Sequence, residues 1–104
     1  MLLTELFPDL AKELEQLLSK KEQPDLAEQV RHLRIVDRCR CEDDFCASFF
    51  TQPKPRGSYG PGLRCVELDP AEGMLILDVV EGVIFHVEVL YRDDIRKKLH
   101  AAFP

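Results

Sequence analysis

No run of apolar residues in this chain approaches the ~20 that a membrane-spanning helix needs. The opening residues, MLLTELFPDL, carry Glu5 and Asp9 and lack both a basic lead and a small-residue cleavage site. A secretory leader is therefore not expected, and a reducing cytoplasm is. An excess of positive charge is also missing: Lys and Arg number 14 against 19 Asp and Glu, a net charge of −5. Such a field repels phosphate backbones and argues against nonspecific nucleic-acid binding. The usual catalytic signatures are absent. Ser19, Ser48 and Ser58 have no nucleophile-elbow context, no glycine-rich loop opens a helix, and His32, His86 and His100 are scattered. The sequence contains neither a repeat nor a low-complexity stretch.

What is present is an ordinary globular balance over 104 residues, 45% hydrophobic and 32% charged. A single domain of this length buries roughly 65% of its unfolded surface, enough for one modest core. The charge is unevenly spread. Residues 1–30 hold 3 basic and 7 acidic side chains, residues 31–64 hold 7 and 4, and residues 65–104 hold 4 and 8. The middle third is thus a basic island in an acidic chain, able to meet an anionic partner or simply to keep the surface soluble.

The periodicity predicts an α+β domain. Leu3, Leu6, Phe7, Leu10, Leu14, Leu17 and Leu18 recur at spacings of three and four, a helical stripe whose regular part begins near Pro8 after a turn capped by Thr4. Pro24 opens a second helix with a narrower stripe of Leu26, Val30 and Leu33, so residues 1–34 form a helical hairpin. From Ile35 the period falls to two. Segments 35–41, 45–51, 64–69, 74–80 and 83–91 read as an antiparallel meander of about five strands. Segment 52–63, QPKPRGSYGPGL, has three prolines and three glycines and reads as a loop. A C-terminal helix over 93–103, capped by Asp93, turns Ile95, Leu99, Ala102 and Phe103 inward.

Glu81-Gly82 fits a two-residue hairpin turn that pairs Val80 with Val83. The alternation then suggests that Met74, Ile76, Val80, Val83, Phe85, Val87 and Val89 form the buried face, packed by helices on that one side. The opposite face, with Leu75, Leu77, Val79, Ile84, His86, Glu88 and Leu90, is mixed and could be partly covered or form a homodimer contact.

Three groups of residues carry candidate chemistry. Cys39, Cys41 and Cys46 surround a turn at residues 42–45 that sets Cys41 opposite Cys46, with Cys65 arriving from a later strand. Four cysteines in this arrangement suit a zinc site or reversible disulfide chemistry, although Cys-x-Cys on an extended strand holds two sulfurs too far apart for a tetrahedral ion, and the favoured reading is that they are small buried core residues. The 52–63 loop offers Lys54, Arg56 and Tyr59, joined by Arg64 and by Arg38 and Arg40. Arg and Tyr are the types that anchor protein interfaces, and twelve residues without regular structure are uncommon in a compact domain. Such a loop, pinned only by Tyr59 and Leu63, either gains its order from a partner or is a surface crossover that carries the chain from one sheet edge to another. Third, His86 and Glu88 share a strand face near Asp78, as an acid–base pair would, or as a polar pair on the outside of a sheet.

The sequence thus favours a non-enzymatic module that binds or inhibits a protein partner through Lys54, Arg56, Tyr59, Arg64, Arg38 and Arg40, with no cofactor. A metal- or redox-responsive protein built on Cys39, Cys41, Cys46 and Cys65 is the second reading. A small enzyme or ligand carrier around His86, Glu88 and Asp78 is the third.

Overall fold

A computed structural model describes residues 1–104 except Pro55, Arg56 and Ser58. Arg56, one of the expected interaction residues, therefore lies outside the described residues. The N-terminal stripe forms α1 (Leu3–Leu6) and α2 (Pro8–Lys20), divided where Pro8 takes the first helical position of α2. Thr4 lies inside α1 rather than capping it. Pro24 likewise starts α3 (Pro24–Gln29), which tightens into a 3-10 turn over Val30–His32. Five strands follow: β1 (Asp37–Arg38), β2 (Phe49–Phe50), β3 (Leu63–Leu68), β4 (Met74–Val80) and β5 (Val83–Leu90). The chain closes with α4 (Asp93–Ala102), whose two leading aspartates suit the positive end of the helix.

The strands form one antiparallel sheet in the order β1-β2-β5-β4-β3. The last three are a meander, and the β1–β2 pair is added along the free side of β5. The connection from β2 to β3 must therefore cross β5 and β4, which is the task of the proline- and glycine-rich segment. Two anchors hold it on the sheet: the Lys54 ammonium stands 5.8 Å over the Phe50 ring, and Tyr59 meets Phe85 edge-on at 5.9 Å.

The hairpin turn is as expected, with Glu81 and Gly82 both at positive φ and Val80 opposite Val83. The faces are not. Leu75, Leu77, Val79 and Ile84 are fully buried with Val87 and Val89, whereas Met74 and Val83 are exposed and Ile76, Val80 and Phe85 only partly covered. Two physical causes account for the correction. Asp78 shares a face with Met74, Ile76 and Val80, and burying that face under helices would strand a carboxylate in the core. On β5 a bulge intervenes: Asp78 pairs with His86 but Val79 with Ile84, leaving Phe85 as the extra residue. The bulge reverses parity, so Ile84 and Val87 both point inward although three residues apart.

The inward face packs against Leu3, Leu10, Leu14, Leu18, Leu26 and Val30 from the N-terminal helices and against Ile95 and Leu99 of α4. Phe49 and Val66 extend the same layer. Arg92 ties α4 to α2 through Glu13 at 2.5 Å and to the β3–β4 turn through the Glu72 carbonyl at 2.9 Å. Among the described residues the helices take one side of the sheet, and the β2–β3 crossover runs over the other.

Candidate functional site

The ladder between β1 and β2 is short because the chain leaves it early. Asp37 pairs with Phe50 and Arg38 with Phe49, and the Cys39 N–H still donates to the Ser48 carbonyl at 2.8 Å. Residues 40–45 then swing outward and return through a turn in which the Cys46 N–H donates to the Asp43 carbonyl at 3.3 Å. Carried past the last bond, the β1–β2 register sets Cys41 across from Cys46. Cys46 is itself bridged to Leu90 of β5, and Phe45 stacks on Tyr91 with ring centroids 5.2 Å apart, which fixes the turn to the sheet end. Ser48 completes the support from beneath: its hydroxyl accepts from the Val89 N–H at 3.0 Å and receives the Cys46 thiol at 3.4 Å.

As a result, ligand atoms of Cys39, Cys41 and Cys46 all lie within 4.8 Å of one another. The expected obstacle, a Cys-x-Cys pair held apart on an extended strand, does not arise, because β1 ends at Arg38 and Cys39–Cys41 is irregular. The three thiols are not alike. The exposed Cys41 is held below its ordinary pKa, first by the backbone N–H of Asp43 donating to its sulfur, then by the neighbouring thiols. The half-buried Cys39 is pushed up to about 11, chiefly by burial. Cys41 is thus biased toward the thiolate and Cys39 toward the protonated thiol.

The fourth cysteine belongs elsewhere. Cys65 lies on β3, the far edge strand of the sheet, where its thiol donates to Asp78 at 3.2 Å. That carboxylate raises the Cys65 pKa. The other Asp78 oxygen meets His86 Nδ1 at 3.1 Å, and Phe50 covers the imidazole at 4.7 Å between ring centroids. His86 therefore pairs across strands with Asp78, whereas Glu88, its expected partner, acts on it only as a nearby charge. Burial lowers the His86 pKa despite both carboxylates.

The basic residues divide between the two sides of the sheet. Arg64 reaches Gln23 at 3.3 Å, beside the start of α3. Tyr59 packs on Phe85. Arg38 donates to the Phe103 carbonyl at 2.6 Å and to the Cys39 carbonyl at 3.3 Å. Arg40 clasps Asp37 at 2.7 Å and the Pro104 carbonyl at 2.8 Å, and holds the Asp37 carboxyl below its usual range. Yet Arg38, Arg40 and Lys54 border the same groove, of about 600 Å³, that Cys39 and Cys41 wall and Phe50 and Pro53 floor. The structure brings Arg38, Arg40 and Lys54 to the cysteines and leaves Arg64 and Tyr59 apart from them.

No family model, curated protein or solved structure matches this chain. The chemistry of the site is read from its residues alone. Three cysteine sulfurs so placed could hold a metal ion. Sequence reasoning missed the groove because Phe50, at the end of β2, and Pro53, just past it, meet the cysteine segment only through the β1–β2 register. The Cys-x-Cys-x4-Cys spacing was the visible signal; the end of the ladder at Arg38 was not.

Proposed function

We propose that this protein is a metal-responsive protein that binds zinc through Cys39, Cys41 and Cys46. The observation that carries the reading is the mutual approach of the three sulfurs to within 4.8 Å. Zinc–thiolate bonds of ~2.3 Å in a tetrahedron set the sulfurs about 3.8 Å apart, so the turn needs to close by only about 1 Å. Each thiol that binds gives up its proton as zinc takes its place, and Cys41, already biased toward the thiolate, gives it up most readily. The cationic side chains nearby favour the negative charge of a zinc–trithiolate centre. A reducing compartment such as the cytoplasm suits a protein whose working groups are free thiols.

The reading around His86 has less support. Cys65 meets the Asp78 carboxylate and not the imidazole, which raises its pKa, the reverse of nucleophile activation. The partner-binding reading is supported only where its residues converge, at the groove rim.

Elemental analysis of purified protein tests the proposal. One zinc per chain is expected to survive desalting, to be lost in Cys41→Ser and in Cys46→Ser, and to be retained in Cys65→Ser. Cobalt substitution should give thiolate-to-metal charge-transfer absorption with tetrahedral ligand-field bands. Failure to retain zinc or cobalt, or equal loss in Cys65→Ser, would overturn the assignment.

A further inference from the structure

We infer that the groove beside the three cysteines binds a small thiol carrying a carboxylate, whose sulfur completes the coordination of the zinc. The inference rests on the zinc reading above and adds the identity of the fourth ligand. Three protein thiolates leave a tetrahedral zinc one position short, and an open position takes an exogenous ligand. The groove is where such a ligand has access. Cys39 and Cys41 form part of its wall, whereas Cys46 is turned toward Ser48 and lies outside the lining. A ligand entering through the groove meets Cys39 and Cys41 first.

The groove also specifies the rest of the molecule. Its volume of about 600 Å³ lies within the range that holds a small organic ligand. Phe50, Pro53 and Val36 offer apolar contact for an aliphatic stem, and Val36 is 45% exposed. Around them stand Arg38, Arg40 and Lys54, with Asp37 as the one acid in the lining. Two of these cations have partners: Asp37 pairs with Arg40, and Arg38 donates to backbone carbonyls. The Lys54 ammonium rests over the Phe50 ring in the groove lining, from which it can turn to a carboxylate. A soft sulfur for the metal, a short apolar stem and an anionic end match the three kinds of residue that line the groove. Binding exchanges a zinc-bound water for the ligand's sulfur, and the thiol proton goes to solvent, with no change of oxidation state.

The test uses the zinc-loaded chain, and its cobalt form for absorption, titrated with mercaptopropionate and with mercaptopropanol, which differ in the carboxylate. Mercaptopropionate should bind about three- to tenfold more tightly at low salt, the scale of one or two exposed ion pairs. That advantage should vanish in Lys54→Met and shrink with added salt, while zinc stoichiometry stays at one. Equal affinity for the two thiols in a protein that does hold zinc would overturn the inference and leave the metal site standing. An advantage that persists in Lys54→Met would overturn it as well. Absence of zinc from the starting protein would remove the site and the inference together, and elemental analysis reads that outcome separately.

Discussion

The two faces of the β4–β5 hairpin are built from the same kinds of residue and have opposite fates. On one, Leu75, Leu77, Val79, Ile84, Val87 and Val89 are all fully buried beneath the helices. On the other, Met74 and Val83 remain exposed, Ile76 and Val80 are half-covered, and Asp78 and His86 form a polar pair with side chains 22% and 13% exposed. Hydrophobicity alone does not separate Met-x-Ile-x-x-x-Val from Leu-x-Leu-x-Val. The position of one carboxylate does, since the cost of burying an unpaired charge exceeds what one more aliphatic side chain contributes. The core therefore forms on the face without Asp78, and the titratable residues of β4 and β5 are left to the face that only the crossover reaches.

Phe49 and Phe85 provide the largest test of that difference. Phe49 is 0% exposed and stacks with Phe7 at 6.5 Å, whereas Phe85 is half-buried and meets Tyr59. Phe49→Ala should cost ~3–5 kcal/mol of unfolding free energy by urea denaturation, as expected of a core aromatic. Phe85→Ala should cost about 1 kcal/mol, the scale of one edge-to-face contact with partial burial. If the two losses are equal, or reversed, the assignment of faces is wrong.

Much of the architecture is legible in the sequence, and the part that is not has a definite cause. Helix starts at Pro8 and Pro24, the Glu81-Gly82 turn and the Val80–Val83 register follow from local chemistry, which sequence reports directly. The facing of β4 is the reverse of what the alternation suggests, although Asp78, which interrupts one alternation and not the other, is the signal that decides it. The bulge at Phe85 was not readable, because an extra residue on one strand depends on its partner's register. The candidate site follows the same division. The Cys-x-Cys-x4-Cys turn is visible as spacing, but its separation from Cys65 depends on strand order. β3 lies at the edge opposite β1, and sequence proximity says nothing of that.

A smaller and more specific test uses pH. Burial lowers the His86 pKa below 6.5, outweighing the opposing pull of Asp78 and Glu88. The unfolded chain therefore takes up the proton first as pH falls. Stability should decline as pH drops below ~6.5 and level off once the folded protein is protonated as well. His86→Gln should remove this component of the pH dependence. Asp78→Asn should steepen it, since the charge that partly offsets desolvation is gone. A profile between pH 7 and 5 that is unchanged in His86→Gln would show that His86 is solvated.

The smallest expected effect concerns the two exposed thiols, Cys41 and Cys65, which are neutralised or freed by opposite neighbours. A hydrogen-bond donor, the Asp43 N–H, meets the Cys41 sulfur and favours the thiolate. An acceptor, the Asp78 carboxylate, meets the Cys65 thiol and favours the protonated form. Thiolate, not thiol, attacks an alkylating reagent, so exposure being equal the rates should follow those neighbours. In metal-free protein at neutral pH, a neutral reagent such as iodoacetamide should modify Cys41 several-fold faster than Cys65, read by peptide mass spectrometry. Asp78→Asn leaves a neutral amide where the carboxylate stood, so Cys65 should speed up by a few-fold while Cys41 stays as it was. Zinc should then reverse the ranking, protecting Cys41 and leaving Cys65 unchanged, because only the turn thiols gain a ligand. Equal rates in the metal-free chain would mean that the local donors and acceptors do not set thiol reactivity. Protection of Cys65 by zinc would mean that the far edge of the sheet takes part in the metal site.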